Sequence, residues 1–153
     1  MSKLEGSMPV KILFVCMGNT CRSPMAQVIA QDLLASQGLS DVTTRSAGIA
    51  AHPGSRASGN AVVVVSRSGL DLSEHRSELL DEEIVAWAEV VIVMAVHHMD
   101  QVIRLGGKDK VITLSKDVPD PFGCDERVYS EVFNVLSSLI QDTLERVILD
   151  TVV

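Results

Sequence analysis

Short apolar runs alternate with amphipathic stretches along this chain, and that order predicts strands and helices in turn. Val10-Lys11-Ile12-Leu13-Phe14-Val15 is almost continuously apolar and rich in β-branched residues, the pattern of a strand buried on both faces. Met25 to Leu34 carries its apolar residues at helical spacing. Between them lies a polar loop, and Ser23 followed by Pro24 reads as a helix cap and first helical position. The loop therefore joins the carboxyl end of a strand to the amino end of a helix.

Further along, Gly38 ends that helix, and Asp41 to Ser46 reads as a second strand, closing in Ser46-Ala47-Gly48. Arg56 to Gly69 is predicted to be a helix, with Ala57, Ala61, Val64 and Val65 on its buried side. Ala88 to Met94 and Lys110 to Leu114 supply a third and a fourth strand. His97, His98 and Asp100 are expected to open a helix between them as a solvated start. Adjacent histidines face different ways and do not suit a shared metal. Ser115 to Asp125 is a loop rich in proline, glycine and acid. A last helix runs from Glu126 to about Leu149, apolar at Val128, Val132, Val135, Leu136, Leu139, Leu144 and Val147. The alternation predicts an α/β domain whose parallel strands present their carboxyl ends at one edge, where ligands collect.

At 153 residues one domain is expected, assigned to residues 8–153. Met1 to Ser7 reads as a vector remnant or disordered extension. No basic segment followed by an apolar one marks the amino terminus, and no apolar run is long enough to cross a bilayer, so no membrane association is expected. The net charge of −7 argues against nucleic acid as a partner. It leaves a phosphorylated substrate open, because local donors can dominate a pocket's field. Three irregularly placed cysteines form neither a disulfide framework nor a zinc spacing, which points to a reducing, cytoplasmic location and to chemistry without metal or other cofactor.

The candidate chemistry sits in the first loop, Cys16-Met17-Gly18-Asn19-Thr20-Cys21-Arg22-Ser23-Pro24. Backbone N–H groups of such a loop and of the first helical turn favour an anion, and the same field favours thiolate over thiol at Cys16. Arg22 adds a planar fork of donors for two phosphate oxygens. A lone cysteine after a strand is usually a small buried hydrophobe. Here Gly18, Asn19, Ser23 and Pro24, set between strand and helix, favour the nucleophile instead.

This loop resembles the phosphate-binding loop of the low-molecular-weight protein tyrosine phosphatase family, and Asp120-Pro121-Phe122-Gly123 resembles that family's general-acid loop. The resemblance implies a four-stranded parallel sheet with helices on both faces. It implies Cys16 as nucleophile, Arg22 as phosphate and transition-state binder, and Asp120 as general acid and base, with Asp117 as a local competitor. Met17, Gly18, Asn19, Thr20, Cys21 and Ser23 would make up the phosphate-binding loop, Ser23 bonding the sulfur. His75 would buttress the loop through Asn19. Ser46 would support Asn19 or be a plain turn serine. Cys21 would form a reversible disulfide with Cys16 or simply pack beneath the loop, and Cys124 has no matching role. His52 would touch substrate or stand in solvent. The implied partners are phosphorylated proteins, with inorganic phosphate as product and competing ligand.

Substrate choice is expected to turn on Thr20 and Phe122. Tyrosine-directed members usually have isoleucine or leucine at the first position and two aromatics in the acid loop, where this chain has Phe122 and Gly123. The loop Ala50 to Gly54 also lacks a bulky aromatic. All three departures resemble the bacterial protein-arginine-phosphatase branch, so phosphoarginine is the expected substrate and phosphotyrosine the alternative. An arsenate reductase would need relay cysteines, and residues 56–123 contain none. A silent phosphate-binding module would be expected to lose the cysteine, the arginine or the acid, and all three remain.

Overall fold

The computed structural model describes residues 11–39 and 41–152; Val10 and the expected 1–7 extension lie outside the described residues. Four strands, β1 (Lys11–Cys16), β2 (Thr43–Gly48), β3 (Val90–Val93) and β4 (Val111–Thr113), form one parallel sheet in the order β2-β1-β3-β4. The α-helices among the described residues are α1 (Arg22–Ser36), α2 (Gly59–Ser66), α3 (Glu82–Trp87), α4 (Met99–Val102) and α5 (Glu126–Val152). None of the described helices is long and apolar enough to cross a membrane.

Strand alternation divides the core in two. Ile12, Phe14, Ile92 and Met94 face one way and pack with Met25, Ile29, Val64, Leu136 and Ile140 of α1, α2 and α5. Leu13, Val15, Val91 and Val93 face the other way, onto Ile84, Val85 and Val102 of α3 and α4. With both faces covered, β1 needs the unbroken apolar run that the sequence shows. The chain leaves β1 for β2 on one side and returns for β3 on the other. The reversal beside the end of β1 opens a crevice at the strands' carboxyl ends.

Side chains set several element boundaries. Asp81 Oδ1 accepts from Ile84 N at 2.8 Å and starts α3. Lys110 Nζ donates to the Val85 and Ala88 carbonyls at 2.6 and 2.7 Å, meeting the unpaired carboxyl end of that helix. Asp125 Oδ1 accepts from Val128 N at 3.1 Å at the start of α5.

The structure differs from expectation in four places. Helix α2 begins at Gly59 behind a Ser58 cap; Arg56 instead pairs with Arg76 in an isolated antiparallel bridge, so only Ala61, Val64 and Val65 of the expected apolar face belong to the helix. Helix α1 starts at Arg22 without a side-chain cap, which places Ser23 inside the first turn. Helix α3 is short and carries only Ile84 and Val85 as buried residues, too brief a period to read from sequence. The segment after β3 is not a solvated helix start, because His98 is wholly buried.

Gly48 shows how closely the end of β2 backs the loop after β1. A Cβ there would lie 2.6 Å from Met17 O and 2.9 Å from Asn19 N, both backbone atoms unable to swing aside. Ile49 N and Ala50 N donate to the Cys16 and Met17 carbonyls at 3.0 and 2.9 Å, so the two segments cannot separate freely. Gly48→Ala is expected to cost about 1–3 kcal/mol of stability through overpacking, measured as a lowered urea midpoint.

Candidate active site

Cys16 is the last residue of β1, and Arg22 opens α1. The loop between them turns on Asn19, which is fully buried and adopts a left-handed backbone at φ 57°. Four hydrogen bonds hold it. Its N–H donates to Cys16 Sγ at 3.3 Å, and its carbonyl accepts from His75 Nε2 at 2.8 Å. Its side-chain Oδ1 accepts from Glu78 N at 2.9 Å, and Nδ2 donates to Ser23 Oγ at 2.8 Å. Because Glu78 N can only donate, the orientation of the amide is settled. Ser23 Oγ then has its proton left for Cys16 Sγ, 2.9 Å away. Two donors therefore converge on one sulfur.

Arg22 is 4% exposed, and its guanidinium is compensated on two sides. Nη1 donates to Val118 O at 3.0 Å, and Nη2 lies 3.5 Å from Asp120 Oδ2. Val118 is itself anchored, its N–H donating to Met94 O at the end of β3. The Asp120 side chain is 48% exposed and accepts from Phe122 N at 3.1 Å, a local turn that keeps the carboxylate at the loop's inner edge. Asp117, the competing carboxylate, is turned outward and accepts from Val96 N at 2.9 Å.

These groups line a cavity of about 220 Å³. Cys16 and Arg22 bound it with Met17, Gly18, Thr20 and Cys21, while Asp120 and Phe122 stand across from them. Phe122 is 72% exposed at the mouth. Asn19, Ser23 and His75 work from outside the cavity wall, through hydrogen bonds. His52 lies in the exposed turn and does not line the cavity. Ser46 does not reach Asn19: its hydroxyl donates to Gln27 Oε1 at 2.9 Å, and β2 instead supports the loop through backbone at Gly48. Among the described residues no three His, Cys, Asp or Glu side chains gather as a metal cluster.

Two features escaped sequence reasoning. His98 is buried with neither ring nitrogen hydrogen-bonded, and burial, then the charges of Arg22 and His97, push its pKa down to about 4 against the opposing pull of Asp117 and Asp120. Nothing in its neighbours distinguishes it from exposed His97. Tyr129 is buried beneath the loop, and burial and its bond to Cys21 raise its pKa to about 12, so the phenol keeps its proton. Its helical register with Val132, Phe133 and Leu136 does mark it as a core position.

A parallel sheet that brings a thiol, a guanidinium and a carboxyl group to one small cavity defines a site for handling phosphoryl groups. Residues 11–151 match the model of the low molecular weight phosphotyrosine protein phosphatase family, and the chain belongs to that family. It is 39% identical over 148 residues to a protein-arginine-phosphatase of Geobacillus stearothermophilus, covering 91% of this chain and 97% of that one. The solved low molecular weight protein tyrosine phosphatase from T. tengcongensis superposes with a TM-score of 0.84 at 38% identity, over 92% of this chain and 99% of that one. A mutant of the YwlE arginine phosphatase with a phosphorylated active site serine in place of cysteine superposes at 0.82, with 36% identity over 89% and 94% of the two chains.

The lowered pKa of His98 carries a stability consequence. Between about pH 6.5 and 4 the unfolded chain takes up a proton there that the folded chain refuses, so stability is full above 6.5 and falls as pH drops toward 4. His75, also lowered, chiefly by burial, acts in the same direction. The protein is expected to lose about 2 kcal/mol between pH 7 and 4.5 through His98. Urea titrations at both pH values should show that loss shrinking in His98→Leu.

Proposed function

We propose that this chain is a protein phosphatase that removes the phosphoryl group from phosphoarginine side chains through a phosphocysteine intermediate. The observation that carries the reading is the convergence of Cys16, Arg22 and Asp120 on one cavity whose wall includes Thr20. Cys16 sulfur attacks phosphorus while the Arg22 fork and the loop's backbone N–H groups hold the equatorial oxygens. Asp120 gives its proton to the departing nitrogen, which leaves within a guanidinium. In the second half, Asp120 takes a proton from water as that water attacks phosphorus. Ser23 donates to the sulfur as the phosphorus–sulfur bond breaks, and inorganic phosphate leaves, competing with fresh substrate for the same loop. The phosphorylated serine of the YwlE mutant supports such an intermediate.

Three features favour arginine over tyrosine. Thr20 offers a hydroxyl where an apolar side chain would grip a phenyl ring. Ala50 and Ala51 raise no aromatic wall beside the loop. The half-exposed Asp120 carboxylate suits a leaving group that becomes a cation. A relative named for arginine supports the same choice. The second reading, phosphotyrosine, draws on exposed Phe122, a ring placed to stack on a phenol at the mouth. The free thiols on which either reaction depends fit the reducing cytoplasm.

Thr20→Ile should raise the phosphotyrosine-to-phosphoarginine ratio of kcat/KM by about ten-fold or more, since one directed contact is exchanged for one apolar contact. An unchanged ratio in peptide assays would dismiss Thr20 as the selector. In parallel, Cys16→Ser should end turnover with the fold intact. Asp120→Ala should slow phosphoarginine and phosphotyrosine by about 10²-fold or more, while p-nitrophenyl phosphate, with its better leaving group, loses far less.

A further inference from the structure

Cys21 closes a ring of hydrogen bonds that reaches two other elements. Its thiol donates to Ser58 Oγ at 3.6 Å, and Ser58 Oγ donates to the Tyr129 hydroxyl at 3.0 Å. The Tyr129 oxygen lies 3.1 Å from Cys21 Sγ. With the other two protons already committed, the phenol proton falls on the sulfur, so each group donates once and accepts once in the same rotational sense. Bonds arranged this way polarise one another, and buried members left unpaired are costly. Cys21 and Tyr129 are both buried.

The ring is fastened to the rim of the cavity. Ser58 N donates to Thr20 O at 2.9 Å, while Ser58 Oγ also accepts from Ala61 N to begin α2. Thr20 Oγ1 is 3.7 Å from Cys21 Sγ. Tyr129 stands in the first turn of α5, directly after the acid loop, its N–H donating to Asp125 O at 3.2 Å. Asn60 Nδ2, on α2, donates to Cys124 O at 3.0 Å and ties the same two segments again. The two sides of the phosphate loop thus have separate supports: Asn19 secures Cys16 and Ser23, whereas α2 and α5 secure Thr20 and Cys21.

We infer that Tyr129 is a positioning residue for substrate choice, fixing Thr20 against the leaving group through Ser58 and Cys21. The inference rests on the phosphatase reading above and deepens it. A leaving group recognised by a directed hydroxyl depends on a fixed rim, whereas a phenyl ring held by apolar contact tolerates a looser one. Opening the ring should therefore move discrimination as well as stability.

Tyr129→Phe removes the shared hydroxyl and keeps the ring volume. Amide exchange across residues 17–23, measured without substrate, should speed about ten-fold. The phosphoarginine-to-phosphotyrosine ratio of kcat/KM should fall about five-fold. Ser58→Ala should shift both readouts in the same direction, and Ser58→Thr should restore them. Faster exchange with an unchanged ratio means a merely structural ring and overturns the inference; so does unchanged exchange. A wild-type protein that prefers phosphotyrosine overturns the arginine reading alone, because the shift in ratio on mutation still tests the ring.

Discussion

The site depends on holding one residue, Asn19, in a backbone conformation that non-glycine residues seldom adopt. A glycine could turn there without strain, yet it would bring no side chain. Asparagine is among the few residues that tolerate this region, and its amide is spent on both sides of the loop. Glu78 N fixes one end of that amide, and the other end directs Ser23 toward sulfur. The same residue that makes the turn therefore orders the donors to the Cys16 sulfur. Backbone strain of this kind persists only where surroundings over-determine it, and here His75, Glu78 and the bare Cα of Gly48 do so.

That support comes from the sheet rather than from the loop. The Cys16 and Met17 carbonyls are held by N–H groups following β2, and Met94 O, just past β3, holds the loop of Asp120 through Val118 N. Cys16 thus ends β1, while the loop carrying Asp120 follows β4 and is tied back beside β3 through Val118. The loops between can vary without moving the sulfur relative to the guanidinium, since Arg22 starts a helix docked on the same core.

Most of this architecture was legible in the sequence because its signals are local. The buried run ending at Val15, the Cys16-to-Pro24 spacing and the Asp120-Pro121 turn each lie within ten residues. What escaped was long-range and polar. By the family resemblance Ser46 would support Asn19 or be a plain turn serine, and its hydroxyl instead donates to Gln27 on α1. Ser23 was expected both to cap α1 and to bond the sulfur; the helix begins two residues earlier than that cap implies, and its hydroxyl meets Cys16 and also Asn19. His98 sits next to an exposed histidine, and only its burial in the folded chain separates them. Tyr129 pairs with Cys21 from 108 positions away, a contact no periodicity encodes.

Arg22 illustrates why these distant contacts matter to chemistry. A guanidinium almost wholly removed from water requires compensation, and a neutral His98, which feels its charge, avoids adding a second cation. One of its faces is satisfied by the Val118 carbonyl and another lies beside Asp120. A bound phosphoryl group would offer the guanidinium stronger bidentate partners than a carboxylate at 3.5 Å. Asp120 would then exchange a weak ion pair for the leaving group, without any movement of Arg22 itself. The half-exposed carboxylate and the buried arginine thus differ in burial as the proposed mechanism would need: Asp120 would exchange a proton with the leaving group and water, while Arg22 would hold the charge that builds up in front of it.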